Sequence, residues 1–177
     1  MRLFVGLDLP SATRARLAAL GTGMPGARWV PAENYHITLR FLGEVMPHEA
    51  EEIDHALAAL RGRGFEIVIA GMGTFAKAGR EVALWAGVER NPALDLLQSK
   101  IEHAVQRAGR PGERRRFQPH VTLARLDGVP EYRLAEFLQH RNLFREGPVP
   151  VAHFTLFSSQ LGKQASVYTA EVEYPLA

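Results

Sequence analysis

The chain has 177 residues, 46% of them apolar, a net charge of +2 and no cysteine. That length and composition can bury a sizeable core without a metal or a disulfide, and the missing cysteine excludes thiolate nucleophiles, dithiol redox chemistry and zinc-thiolate centres. No apolar stretch is long enough to cross a bilayer and the first strand begins without a basic-then-apolar leader, so a cytoplasmic protein is expected.

In chain order, a strand is expected over residues 3–8, closed by Pro10, and a helix over residues 11–20. His36-Ile37-Thr38-Leu39 follows inside a β-branched, apolar run. A helix over residues 47–60 and a long strand over residues 65–75 come next. After a turn at residues 77–79, the pattern starts again with a strand over residues 81–88. Its segment from Leu84 to Glu89, closed by Pro92, resembles the first strand from Leu3 to Asp8. The second copy then gives a helix over residues 92–108, with Leu94, Leu97, Ile101 and Val105 at helical spacing, and His120-Val121-Thr122-Leu123. A helix over residues 130–140 and a long strand over residues 149–158 follow, and a turn at residues 162–164 leads to a last strand over residues 166–174. One strand-helix-strand-helix-strand unit is thus written twice. The expected fold is α+β, a single bilobal domain over residues 1–177. Two small, mainly antiparallel sheets are related by a pseudo-two-fold axis, with helices on their outer faces and a cleft between the lobes that receives both histidine motifs.

Side chains in a strand alternate between faces, so His36 and Thr38 oppose Ile37 and Leu39, and His120 and Thr122 oppose Val121 and Leu123. Each motif reads as a half-buried strand with one apolar face and one polar, outward face. A single histidine in such a strand is ordinarily a core or edge residue, and threonine is simply favoured in sheets; the same pair in both copies points instead to two imidazoles and two hydroxyls serving one site. Strict alternation also puts Arg40 with His36 and sets Arg125 on the face opposite His120, unless the second strand ends or bulges after Ala124. A surface salt bridge is the plainer role for Arg40. The five remaining histidines lie outside these motifs: His48, His55, His103 and His140 fall in helical stretches, and His153 forms a third His-x-Thr with no counterpart in the first copy. Phe41 and Trp85 are expected to fill lobe interiors. The basic run at residues 110–116 leads into the second motif, either as a solvated connector or as an electrostatic lip for a polyanion.

The tandem motifs, in the contexts Glu33-Asn34-Tyr35-His36-Ile37-Thr38-Leu39-Arg40-Phe41-Leu42-Gly43-Glu44-Val45 and Phe117-Gln118-Pro119-His120-Val121-Thr122-Leu123-Ala124-Arg125, resemble the 2H phosphoesterase superfamily. Within it the chain is similar to the RNA 2′,3′-cyclic phosphodiesterases of bacteria and archaea, long called 2′-5′ RNA ligases. The resemblance runs from Arg2 to Pro175. It implies a bilobal enzyme that opens 2′,3′-cyclic phosphate ends of RNA to 2′-phosphates without metal or nucleotide cofactor, and that joins tRNA halves through 2′-5′ linkages. It also implies His36 as proton donor, His120 as proton acceptor, and Thr38, Thr122 and Arg125 as phosphate-binding residues. A monomer is the expected working state.

The chemistry is consistent with those roles. Displacement at phosphorus needs a base for the incoming water and an acid for the departing oxygen, and an ordinary imidazole titrates at about 6.5, so two of them can hold opposite protonation states near neutrality. Motif symmetry alone leaves acid and base interchangeable. Other readings stand beside this one. A zinc site would ask for closely spaced ligands or a nearby acidic partner, neither of which occurs. An RNA-binding module without catalysis would not need both histidines. The same chemistry could act on a small cyclic phosphate, such as an ADP-ribose cyclic phosphate or a cyclic nucleotide.

Overall fold

The computed structural model describes residues 1–177. Its elements are β1 (Arg2–Asp8), α1 (Ser11–Ala18), β2 (Ala27–Trp29), a 3₁₀ turn (Ala32–Asn34), β3 (His36–Glu44), α2 (Pro47–Ala58), β4 (Phe65–Lys77), β5 (Arg80–Val88), α3 (Pro92–Arg107), β6 (His120–Leu126), α4 (Glu131–Arg141), β7 (Arg145–Val151), β8 (His153–Leu161) and β9 (Ser166–Pro175). They build two antiparallel sheets and an α+β fold of two lobes. One sheet runs β3-β1-β8-β9, and the other β2-β6-β5-β4-β7.

Local chemistry sets the helix starts. The Asn91 side chain accepts a hydrogen bond from the Leu94 amide at 3.1 Å, and Pro92 fills the first position of α3, where no amide donor is needed. The anticipated stripe of Leu94, Leu97, Ile101 and Val105 is buried. Pro47 opens α2 in the same way, and Glu49 accepts from the Met46 amide at 2.8 Å. The helices lie against apolar sheet faces, with α3 reaching both β3 and β4. One hydrophobic cluster joins Leu3, Val5, Leu7, Ile37 and Leu39 of the first sheet to Ile69, Leu84, Ala86, Val121 and Leu123 of the second. The opposite faces carry the two histidine motifs.

The structure departs from the sequence reading in two connections. Residues 149–158 are not one strand: the chain breaks at Ala152, so that β7 pairs with β4 at the edge of one sheet while β8 pairs with β1 and β9 in the other. A mostly apolar, strand-like segment with no turn residues at the break hides such a change of sheet, although Pro148 and Pro150 fit an edge strand, which has fewer ladder bonds to lose. The lobes are consequently not the two sequence copies, since β4 joins β5 and β6 while β8 joins β1 and β3. The short β2 was not anticipated at all.

Candidate active site

Both histidine strands bulge at the same place. In β3, Gly6 of β1 pairs with Thr38 and Val5 with Arg40, so Leu39 is the extra residue. In β6, Trp85 of β5 pairs with Thr122 and Leu84 with Ala124, so Leu123 is the extra residue. An extra residue reverses the alternation beyond it. The first seven residues of β3 and β6 accordingly share one burial sequence, with positions one, three and six toward solvent and the rest toward the core.

This register decides the arginines. Arg125, in the sixth position of β6, is exposed on the face of His120 and Thr122. Arg40, one position earlier in its strand, turns away from His36. It is 8% exposed and donates to Glu102 of α3 at 2.5 Å and to the carbonyls of Phe41 and Pro111. Phe41 takes the sixth position of β3 and is 52% exposed, so it is not the core residue that alternation implied. Trp85 also lies on the cleft side of its sheet, opposite Thr122, with its ring centroid 6.2 Å from that of His120. A side chain at Gly73 would run into the Trp85 ring, which accounts for the glycine.

The two imidazoles are held identically. His36 Nδ1 lies 2.7 Å from the Asn34 carbonyl and His120 Nδ1 lies 2.7 Å from the Gln118 carbonyl, each two residues upstream. A carbonyl only accepts, so Nδ1 carries the hydrogen in both rings and Nε2 is left to work. In neutral His36, Nε2 accepts from the Thr38 hydroxyl at 2.9 Å. Aromatic walls fix the ring planes: Phe4 at 4.8 Å and Tyr168 at 5.1 Å beside His36, and Phe75 edge-on at 4.8 Å beside His120. Burial is the main reason that both imidazoles titrate below their ordinary value. The charge of Arg125 lowers both further, and that of His120 lowers His36.

A cleft of about 670 Å³ is lined by Thr38, Leu39, Arg40 and Phe41 from the first motif strand, by the Arg40 partner Glu102, and by His120 with Gln118, Phe117, Arg116 and Arg115 from the approach to the second. Phe75 closes one side of it. The basic run thus borders the cleft. No group of three or more histidine or acidic side chains is placed to hold a metal ion. Thr155 of the third His-x-Thr is 1% exposed, so its hydroxyl is out of reach of a ligand, and His153 has Glu173 at 3.9 Å as its charged neighbour. His48, His55, His103 and His140 are exposed on helices.

Sequence reasoning assigned Phe41 and Trp85 to the lobe interiors and missed the Asn34 and Gln118 carbonyls that orient the rings. Those carbonyls belong to the main chain, which every residue carries, so residue identity gave no signal for them.

The family model described as LigT like Phosphoesterase matches the chain twice, over residues 7–85 and 87–168. An RNA 2′,3′-cyclic phosphodiesterase of Aeropyrum pernix is 34% identical over 166 residues, 93% of this chain and 94% of that one. One of Methanothermobacter thermautotrophicus is 30% identical, covering 96% and 95%. Among solved structures, TT0787 of Thermus thermophilus superposes with a TM-score of 0.80 at 26% identity, covering 99% of this chain and 98% of that one. LigT of Escherichia coli complexed with 3′-AMP gives 0.79 at 25% identity, covering 99% and 97%. With its two matched repeats, its two-lobed fold and the paired histidine strands, the chain belongs to the LigT-like family of 2H phosphoesterases and is an enzyme of that family.

Proposed function

We propose that this enzyme hydrolyses the 2′,3′-cyclic phosphate ends of RNA to 2′-phosphates, with His36 as acid and His120 as base. The observation that carries this reading is the matched clamp on the two rings. Each Nδ1 is committed to a carbonyl, which leaves Nε2 as the proton-exchanging atom of each ring, with the Thr38 hydroxyl at His36 Nε2 in the place a ligand oxygen would take. Similarity to proteins named RNA 2′,3′-cyclic phosphodiesterase supports the substrate class.

In the reaction, His120 Nε2 takes a proton from water as its oxygen bonds to phosphorus. The bond from phosphorus to the 3′-oxygen breaks on the other side, and protonated His36 Nε2 delivers its proton to that oxygen, leaving a 2′-phosphate. Thr38, Thr122 and Arg125 hold the non-bridging oxygens, where charge collects in the transition state. The depressed imidazoles suit the base in the free enzyme, and the arriving phosphate anion raises the pair so that the acid can hold its proton. A 5′-hydroxyl in place of water gives a 2′-5′ linkage, as between tRNA halves, through the same proton transfers. Phe41 and Phe75 offer aromatic surface for the terminal base. Both histidines come from one chain, which supports a monomer as the working unit. No helix is long and apolar enough to cross a membrane.

The test of substrate class compares kcat/KM on an RNA oligonucleotide ending in a 2′,3′-cyclic phosphate with that on an ADP-ribose cyclic phosphate. Preference for the oligonucleotide is expected. Equal or greater activity on the ADP-ribose compound would move the enzyme to small cyclic phosphates.

A further inference from the structure

Arg28 stands on β2, at the edge of the second sheet, directly across the antiparallel ladder from Arg125. Directly opposed residues in such a pair share a face. Arg28 therefore lies on the face of His120, Thr122 and Arg125. Its neighbour Trp29, opposite Ala124, turns the other way and packs against Phe137 at 5.7 Å.

The two guanidinium groups are exposed, and neither has a carboxylate within ion-pair distance. Like charges directly opposite each other weaken a sheet. The backbone gives β2 little freedom to swing away and relieve that repulsion. Trp29 Nε1 donates to the Thr22 carbonyl at 2.7 Å, the Val30 amide to the Leu123 carbonyl at 2.8 Å, and the Asp127 amide to the Gly26 carbonyl at 2.8 Å. Gly26 has φ of +84°, and a Cβ there would come 2.5 Å from the Asp127 carbonyl oxygen. A three-residue strand is thus anchored at both ends while presenting a cation to a cation.

An anion between or beside them removes the conflict, and the two arginines are not equivalent toward the catalytic pair. Arg125 is the one whose charge bears on both imidazoles. Arg28 is one strand spacing, about 4.8 Å, further toward the sheet edge. We propose that Arg28 binds the internucleotide phosphate next to the terminal cyclic phosphate, so that Arg125 and Arg28 grip two successive phosphates of one strand. This rests on the reading of the cleft as a site for RNA ends, and it makes Arg28 the residue that favours an oligonucleotide over a mononucleotide.

The experiment measures Arg28→Gln and Arg28→Lys against wild type on two substrates, adenosine 2′,3′-cyclic phosphate and an RNA oligonucleotide with the same cyclic end. The mononucleotide has no internucleotide phosphate. Arg28→Gln is expected to lower kcat/KM on the oligonucleotide about tenfold, through KM, as the loss of one charge-assisted contact. Its value on the mononucleotide is expected to stay unchanged, with no fall in Tm. The log–log salt dependence of oligonucleotide KM should become shallower by about 0.7, the share of one phosphate on a single strand, and Arg28→Lys should restore most of both effects. If wild type hydrolyses both substrates and Arg28→Gln affects both alike or neither, the assignment of Arg28 is overturned while the catalytic reading stands. If wild type hydrolyses neither, the catalytic reading falls and Arg28 with it.

Discussion

At the scale of single residues, the site consists of two imidazoles whose tautomer is set by the main chain and whose proton affinity is set by burial. Both titrate below their ordinary value, for the same leading reason. The proposed mechanism needs one ring neutral and one protonated, so in the free enzyme the bell-shaped profile of kcat/KM is expected to belong to the pair and to lie on the acid side of about 6.5. Raising pH through neutrality is expected to lower kcat/KM, as the last proton leaves the pair. The kcat profile, which reports the complex, should sit at higher pH because the bound phosphate anion favours the protonated form. Steady-state kinetics from pH 5 to 9 check this; a kcat/KM that is flat or rising through neutrality contradicts it. Stability runs the opposite way. A folded imidazole held below its unfolded value contributes stability that is complete above the unfolded value and is lost as pH falls through the folded one.

At the scale of elements, the bulges at Leu39 and Leu123 do the sorting. They send Arg125 toward the histidines and Arg40 into the core side, although both arginines follow a His-x-Thr-Leu motif. Arg40→Ala is expected to cost about 3 kcal/mol of stability, because Glu102 loses its partner in a mostly buried pair, with kcat retained. Arg125→Ala is expected to leave the unfolding midpoint unchanged and to lower kcat by about 10²-fold, as for the loss of one transition-state donor. Chemical denaturation and steady-state kinetics on the two variants separate these outcomes; the reverse assignment of effects would remove Arg125 from the site. The motif strands, the helix α3 and the apolar faces were legible in the sequence because each has a periodic pattern. A bulge has none. It adds one residue to a strand that otherwise alternates, which is why strict alternation put Phe41 in the core and Arg40 beside His36. The short β2 was hidden for a related reason, since three residues are too few to display any period.

At the scale of the whole molecule, the repeat written along the sequence does not map onto the lobes. Strand β4 crosses to the sheet of β5 and β6, and β8 crosses to the sheet of β1 and β3, so each lobe takes strands from both sequence copies. The exchange ties the lobes into one hydrophobic cluster and sets the two histidine strands beside a common cleft. The two similar motifs pointed to one shared cleft from sequence, whereas the exchange depends on where β7 ends and β8 begins, which only packing decides. The central claim is a two-histidine reaction that needs no metal. Its most direct test is to incubate an RNA oligonucleotide ending in a 2′,3′-cyclic phosphate with the purified protein in excess EDTA and to resolve the 2′- and 3′-phosphate products. Conversion to the 2′-phosphate, lowered at least about 10²-fold in His36→Ala and in His120→Ala, is the predicted result; activity abolished by EDTA, a 3′-phosphate product, or full activity in either variant would contradict it.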